Sequence, residues 1–258
     1  MHNTFINCIA AEWIKKRRSF AYWLVMAGGL FIPLINLLIF FCYPKQLLTM
    51  HASGDFWKQL FDHSWQTMAF MLLPMGIVMA VSLVTQLEYK NNTWKQVHAM
   101  PLSIASIYFS KLVILFIMLL QLFILFNIGT YLCAVIPSLI IRQIPFPGYP
   151  IDVNYLLNQN MHFFILSMPI VIIQYAISMH FKNFLIPIGA GLALVIGSLI
   201  ALSWKFIYLV PYAYSALYFL QNKNPGPPSH NLLAWSLIYS LVIGLLGFGW
   251  YVSKKEKG

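Results

Sequence analysis

The side chains able to do chemistry in this 258-residue chain are few, and none stands in a catalytic arrangement. No His-Glu-x-x-His run presents two imidazoles and a base on one helix face, and no Gly-x-Ser-x-Gly elbow exposes a nucleophile. No Gly-x-x-x-x-Gly-Lys loop can cradle the phosphates of a nucleotide. The seven histidines, His2, His51, His63, His98, His162, His180 and His230, are scattered, so no metal site is expected. Cys8, Cys42 and Cys133 form no CxxC pair and read as apolar filler, although Cys42 and Cys133 fall near the same face and a bridge between them stays open. Two polar stretches remain conspicuous, residues 1–19 and Glu88 to Lys111.

Both stretches hang on an apolar frame. The chain is 60% hydrophobic and only 9% charged, against roughly 25% charged in soluble domains. Its charges are clustered, and the uncharged gaps between them are Ser19 to Pro44, His63 to Leu87, Leu112 to Ile141, Val153 to Phe181, Asn183 to Trp204, Phe206 to Asn222 and Asn224 to Ser253. All but Phe206 to Asn222 exceed the ~18 residues that suffice to cross a bilayer. A soluble enzyme, a nucleic-acid binder and a secreted disulfide scaffold are excluded, and the net charge of +10 belongs to span flanks, not to a nucleic-acid partner. The expected fold is an all-α integral membrane domain over 1–258, with six spans at 20–41, 67–87, 112–136, 163–179, 184–202 and 232–251. Lys15, Lys16, Arg17 and Arg18 imitate a secretory signal, but the apolar run after them is too long and is expected to remain as an anchor.

Placing the N-terminus inside leaves eleven Lys and Arg on the cytoplasmic side and five outside, which predicts cytoplasmic termini. No Asp, Glu, Lys or Arg lies in the core of a predicted span, which counts against a proton- or ion-coupled transporter. Residues 203–231 are rich in aromatics and end in Asn224-Pro225-Gly226-Pro227-Pro228, so a re-entrant helix dipping in from the extracellular side is expected there. The pieces between spans are too short to fold alone, so any energy-converting domain must come from another chain.

The two polar stretches now have places. In residues 1–19, Phe5, Ile6, Ile9, Ala10, Trp13 and Ile14 recur at helical spacing opposite Asn3, Thr4, Asn7, Glu12, Lys15 and Lys16, predicting an amphipathic helix in the membrane surface. In the loop 88–111, Asn91, Asn92 and Thr93 start a short helix, Trp94, Val97 and His98 form a knob fit for a groove on a partner, and Pro101 ends it before Ser103 caps the next helix.

The run Glu88-Tyr89-Lys90-Asn91-Asn92-Thr93-Trp94, followed by Met100-Pro101-Leu102-Ser103 and Lys111, resembles the cytoplasmic loop of ABC-2 type transporter permeases. Asn92 stands where that family usually has glycine, and asparagine also tolerates left-handed backbone angles. The resemblance implies an N-terminal elbow helix (Phe5, Ile9, Glu12 and Trp13), a coupling helix between spans two and three, and a re-entrant element before the last span. It also implies two copies of a separate ABC ATPase carrying Mg-ATP, no cofactor on this chain, and a second permease that is identical or a sister. Coupling would fall to Glu88, Asn92, Thr93, Trp94, Val97, His98, Pro101 and Lys111.

Size and the lack of a fused ATPase look most like permeases of bacterial lantibiotic and peptide immunity exporters in the cytoplasmic membrane. A protomer interface built from spans one, two and five would offer Asn36, Gln86 and Ser198 to a hydrophobic or amphipathic cargo, whereas Gln121, Asn127 and Gln174 read as helix-to-helix hydrogen bonds. Two other classes stay open on the residues alone. One is an ATP-independent transporter or channel, and the other is a membrane enzyme or scaffold using His162 or His180.

Overall fold

The computed structural model describes residues 2–52, 55–90, 102–181, 183–223 and 230–255, with side chains throughout these except at 2–4, 88–90 and 254–255. Among the described residues 88% are helical and none lies in a strand. The helices are α1 (His2–Arg17), α2 (Phe20–Cys42), α3 (Pro44–Ala52), α4 (Phe56–Thr67), α5 (Leu73–Lys90), α6 (Ile104–Ile140), α7 (Val153–His180), α8 (Leu185–Ile200), α9 (Tyr214–Lys223) and α10 (Leu232–Lys255). Among the described residues six segments are long and apolar enough to cross a membrane: Phe20–Cys42, Phe56–Leu87, Ile104–Ile140, Val153–His180, Leu185–Ser203 and Leu232–Ser253.

Contacts between helices fix which ends lie together. Lys16 reaches Gln121, Gln86 reaches Ser178 and Phe181, and Tyr108 packs on Tyr175 and Tyr251. The foot of α2, the end of α5, the start of α6 and the ends of α7 and α10 therefore share one end of the bundle, called here the near end. Asp62 against Tyr155 and Trp57 against Tyr149 mark the far end. α2 and α6 run parallel in close contact, because a Cβ at Gly129 would stand 2.8 Å from Pro33 and only a bare backbone fits. Lipid supplies no hydrophobic force between helices, so such close approach is what holds them.

The second crossing starts at Phe56, well before the predicted Thr67, because Trp57, Leu60, Phe61 and Trp65 make one buried face. Trp65 stacks on Phe163 at 4.0 Å. Between α4 and α5 the helix widens into a π-turn, Met68–Leu72, whose Ala69 carbonyl accepts from the Ser215 hydroxyl at 2.7 Å. The third crossing starts at Ile104, where Ser103 Oγ accepts from the Ser106 N–H at 3.1 Å, the cap its position predicts. The fourth starts at Val153, capped by Asp152. Asn127 pairs with Asn160, and Gln121 with Lys16 and Met26, giving these amides the helix-to-helix role expected of them. The three cysteines are free, Cys42 being exposed and Cys133 buried.

Residues 201–223 form 3-10 turns at Ala201–Ser203, Ile207–Leu209 and Pro211–Ala213 and then α9. Tyr208 packs on Trp235 near the start of α10, Tyr212 reaches Gln174 deep in the bundle, Tyr218 packs on Phe163, and Asn222 reaches Gln159. The chain thus descends from the far end to the level of Gln174 and climbs back, a re-entrant path whose deepest irregular turn, Pro211–Ala213, is buried in protein, as the absence of water at that depth requires.

Candidate functional site: the near-end face and the polar relay behind it

α5 and α6 end and begin side by side at the near end, and the segment joining them carries most of the predicted coupling residues. Asn92, Thr93, Trp94, Val97, His98 and Pro101 lie outside the described residues, and Glu88 lies within α5 with its side chain outside them. Lys111 sits inside α6 and is 1% exposed, so its stem is packed in the bundle and not laid on its surface.

The elbow helix meets α6 with an unexpected face. Cys8, Glu12 and Lys16, an i, i+4, i+8 stripe, are buried, while Ile6, Trp13 and Ile14 point away. Phe5 and Ile9 lie between, half-buried. Glu12 accepts from Lys15 at 2.6 Å. Lys16 Nζ donates to Gln121 Oε1 at 2.7 Å and lies 4.1 Å from the Trp13 ring centroid. Burial pushes its pKa from the usual 10.5 down to about 8. The apolar face is thus free for lipid tails, and the polar face finds its partners in protein.

Behind the near end a chain of buried polar groups runs inward. Gln86 Nε2 donates to the carbonyls of Ser178, at 2.9 Å, and Phe181, at 2.5 Å, which satisfies orphan carbonyls at the end of α7. Ser178 Oγ donates to Ser82 Oγ at 3.3 Å. Gln174 Nε2 donates to Ser82 Oγ and to the Pro187 carbonyl, both at 2.8 Å, and Gln174 Oε1 accepts from the Tyr212 hydroxyl at 3.3 Å. Four segments meet in this relay: α5, α7, the first turn of α8 and the re-entrant element. In a low-dielectric interior such bonds reinforce one another, and leaving one unmade is costly. Ser82, Ser178 and Tyr212 escaped the sequence reading. The pairs 82/86 and 174/178, each at i, i+4 spacing on an apolar helix, were the available signal.

The three candidate path residues are all buried in the protomer. Asn36 donates to Ser64 Oγ at 3.0 Å, Gln86 belongs to the relay, and Ser198 donates to the Val195 carbonyl at 2.7 Å. Among the described residues no group of three or more His, Cys, Asp or Glu is placed to hold a metal ion.

Residues 8–199 match the family described as ABC-2 family transporter protein, a stretch running from α1 to the end of α8 and so covering the elbow, the near-end loop and five crossings. The chain belongs to that family. No curated protein and no solved structure matches it. An ABC-2 permease is the membrane component of a transporter, and membership implies partnering with ABC ATPase subunits. The relay joins the near ends of α5 and α7 to the re-entrant element.

Proposed function

We propose that this chain is the membrane-spanning subunit of an ATP-driven exporter, in which the near-end loop transmits the closing of separate ATPase subunits to the helix bundle. The observation that carries the reading is the relay: Gln86, one turn before the end of α5, is linked through Ser82, Ser178 and Gln174 to Tyr212 of the re-entrant element. A displacement of the loop 91–101 would pull on α5 and, through that network, on the element that closes the far end. ATP could change the bundle only through contacts that differ between two states, and the knob of Trp94, Val97 and His98 supplies the contact.

Glu88 stands in the last turn of α5 and Lys111 two turns inside α6, and between them Asn92 and Thr93 would open the coupling helix and Pro101 would close it. Two ATPase copies binding Mg-ATP and a second permease, identical or sister, complete the assembly in a bacterial cytoplasmic membrane, with both termini inside. The cargo is a hydrophobic or amphipathic molecule such as a lantibiotic-like peptide or a lipid. Its path would open beside Asn36, Gln86 and Ser198, whose donors are internally committed in this structure.

Co-expression with an ABC ATPase that has no spans of its own, followed by detergent extraction, tests this reading. The permease is expected to retain the ATPase, and Trp94→Ala with Val97→Ala is expected to cut retention and permease-dependent ATP hydrolysis by about tenfold or more, the scale of a buried aromatic anchor. If the double variant retains the ATPase and its coupled hydrolysis in full, the loop is not the transmission element and the reading fails.

A further inference from the structure

A cavity of about 360 Å³ opens at the far end, between the starts of α4 and α7. Its volume lies within the ~300–1,000 Å³ of small-molecule sites. Its walls are aromatic, with Phe56, Trp57, Tyr149 and Tyr155 among the lining residues. The walls are also held in place. The Trp57 indole donates to the Tyr149 carbonyl at 2.8 Å, and His51, buried and with neither ring nitrogen hydrogen-bonded, stacks on Phe56 at 4.2 Å.

The charge around this cavity runs against the rest of the chain. The sequence has net charge +10 and contains three aspartates, Asp55, Asp62 and Asp152. All three gather here. Asp55 and Asp152 line the cavity, and Asp62 accepts from the hydroxyl of the lining residue Tyr155 at 2.5 Å. Among the described residues neither Asp55 nor Asp152 forms an ion pair. The cation at the site is Lys58, also in the lining, whose Nζ stands 5.5 Å from the Tyr155 ring centroid, inside the ~6 Å reach of a cation–π contact. An aromatic face of the cavity already accepts an ammonium, and it is the chain's own.

We propose that the far-end cavity is a binding site for a protonated amine carried on an apolar body. Asp55 and Asp152 hold the ammonium at the mouth, the aromatic walls take the body, and Lys58 is a resident stand-in that the ligand displaces from Tyr155. An anionic ligand would meet two carboxylates against one ammonium, and a neutral one would gain no charge attraction from either carboxylate. The helix that forms one wall of the cavity also meets the re-entrant element, since Gln159, one turn along α7 from Tyr155, accepts from Asn222 of α9 at 3.1 Å. Occupancy would therefore be felt where that element returns to the far end.

The test uses the full chain in dodecyl maltoside without any ATPase, so its outcome is separate from that of the export reading. Calorimetric titrations with phenethylammonium, phenylacetate and 2-phenylethanol, corrected against empty micelles, compare one shape with three charges. Saturable binding of the amine alone is expected. Asp55→Asn and Asp152→Asn should each weaken it by about three- to tenfold, and Lys58→Met should tighten it by a similar factor. Asparagine caps helices as well as aspartate does, so Asp152→Asn keeps the start of α7 intact, and Asp55 makes no side-chain cap bond at the start of α4 for its variant to lose. Equal binding of phenylacetate or 2-phenylethanol, an unchanged affinity in the Asp55→Asn/Asp152→Asn pair, or no saturable binding of any amine overturns the proposal. A parallel titration with acetyl-Phe-Lys-amide identifies the source: tighter binding than phenethylammonium assigns a peptide, and weaker binding a free amine.

Discussion

Lys16 is the clearest case of a residue whose environment contradicts its type. It is 1% exposed at the junction of the elbow helix and the first crossing, bonded to Gln121 and set over Trp13. Burial lowers its pKa from 10.5 to about 8, so the folded chain releases this proton before the unfolded chain does. Below about pH 8 both states hold the proton and the cost of burying the charge is present in full. Between about pH 8 and 10.5 the unfolded state binds more proton, so this site adds stability as pH rises. The thermal midpoint of the detergent-purified chain, followed from pH 7 to 10.5, should therefore rise relative to that of Lys16→Met, which lacks the titrating group and controls for every other one. Parallel curves for the two proteins would show that Lys16 keeps an ordinary pKa. The sequence reading assigned Lys16 to the water-facing side of α1, since a 3.6-residue period separates faces without saying which one meets protein.

Elements are positioned by small residues and buried amides more than by apolar bulk. Gly191 in α8 shows how tightly: a Cβ there would stand 2.5 Å from Gln174 Oε1 and 2.6 Å from Val78 Cγ1, so α8 can approach α5 and α7 only with a bare backbone. Gly191→Ala should lower the thermal midpoint by the equivalent of about 1–3 kcal/mol, the usual cost of overpacking. Gly189→Ala, which meets nothing within 4 Å, should leave it unchanged or raise it. Equal midpoints for the two variants would mean that the helices are not locked at this point.

The six crossings were legible in the sequence because long uncharged runs are a one-dimensional signal. So was the re-entrant path, because the uncharged run Phe206 to Asn222 falls short of a span and a seventh crossing would put Lys254, Lys255 and Lys257 on the outside. The start of the second crossing was not legible. Lys58, Asp62 and His63 share a helix with Trp57, Phe61 and Trp65, and hydropathy averages the wet face with the buried one. The far-end cavity stayed hidden for a related reason: Asp55 and Asp152 are far apart in sequence, and only the pairing of α4 with α7 brings them to one mouth.

At the scale of the whole molecule, two ends with different chemistry are joined by one polar thread. The near end collects the predicted coupling loop and the buried Lys111, the far end collects the aspartates and aromatic walls, and the relay through Gln86, Gln174 and Tyr212 connects them. A thread that transmits motion must have two arrangements, and its bonds must differ between them. The phenol of Tyr212 is the bond to remove, since Tyr212→Phe keeps the buried ring and deletes only the donor to Gln174. In the permease–ATPase complex, a thiol placed by Asn222→Cys on a Cys42→Ser background would report on the re-entrant element through its rate of modification by a water-soluble maleimide. That rate should change when ATP is added, and Tyr212→Phe should reduce the ATP-dependent change by about fivefold, the population shift equivalent to a hydrogen bond of ~1 kcal/mol. ATPase retention should be untouched, because the substitution lies far from the near-end face. An ATP response of full size in Tyr212→Phe would show that the re-entrant element moves by another route and that the relay only holds the bundle together.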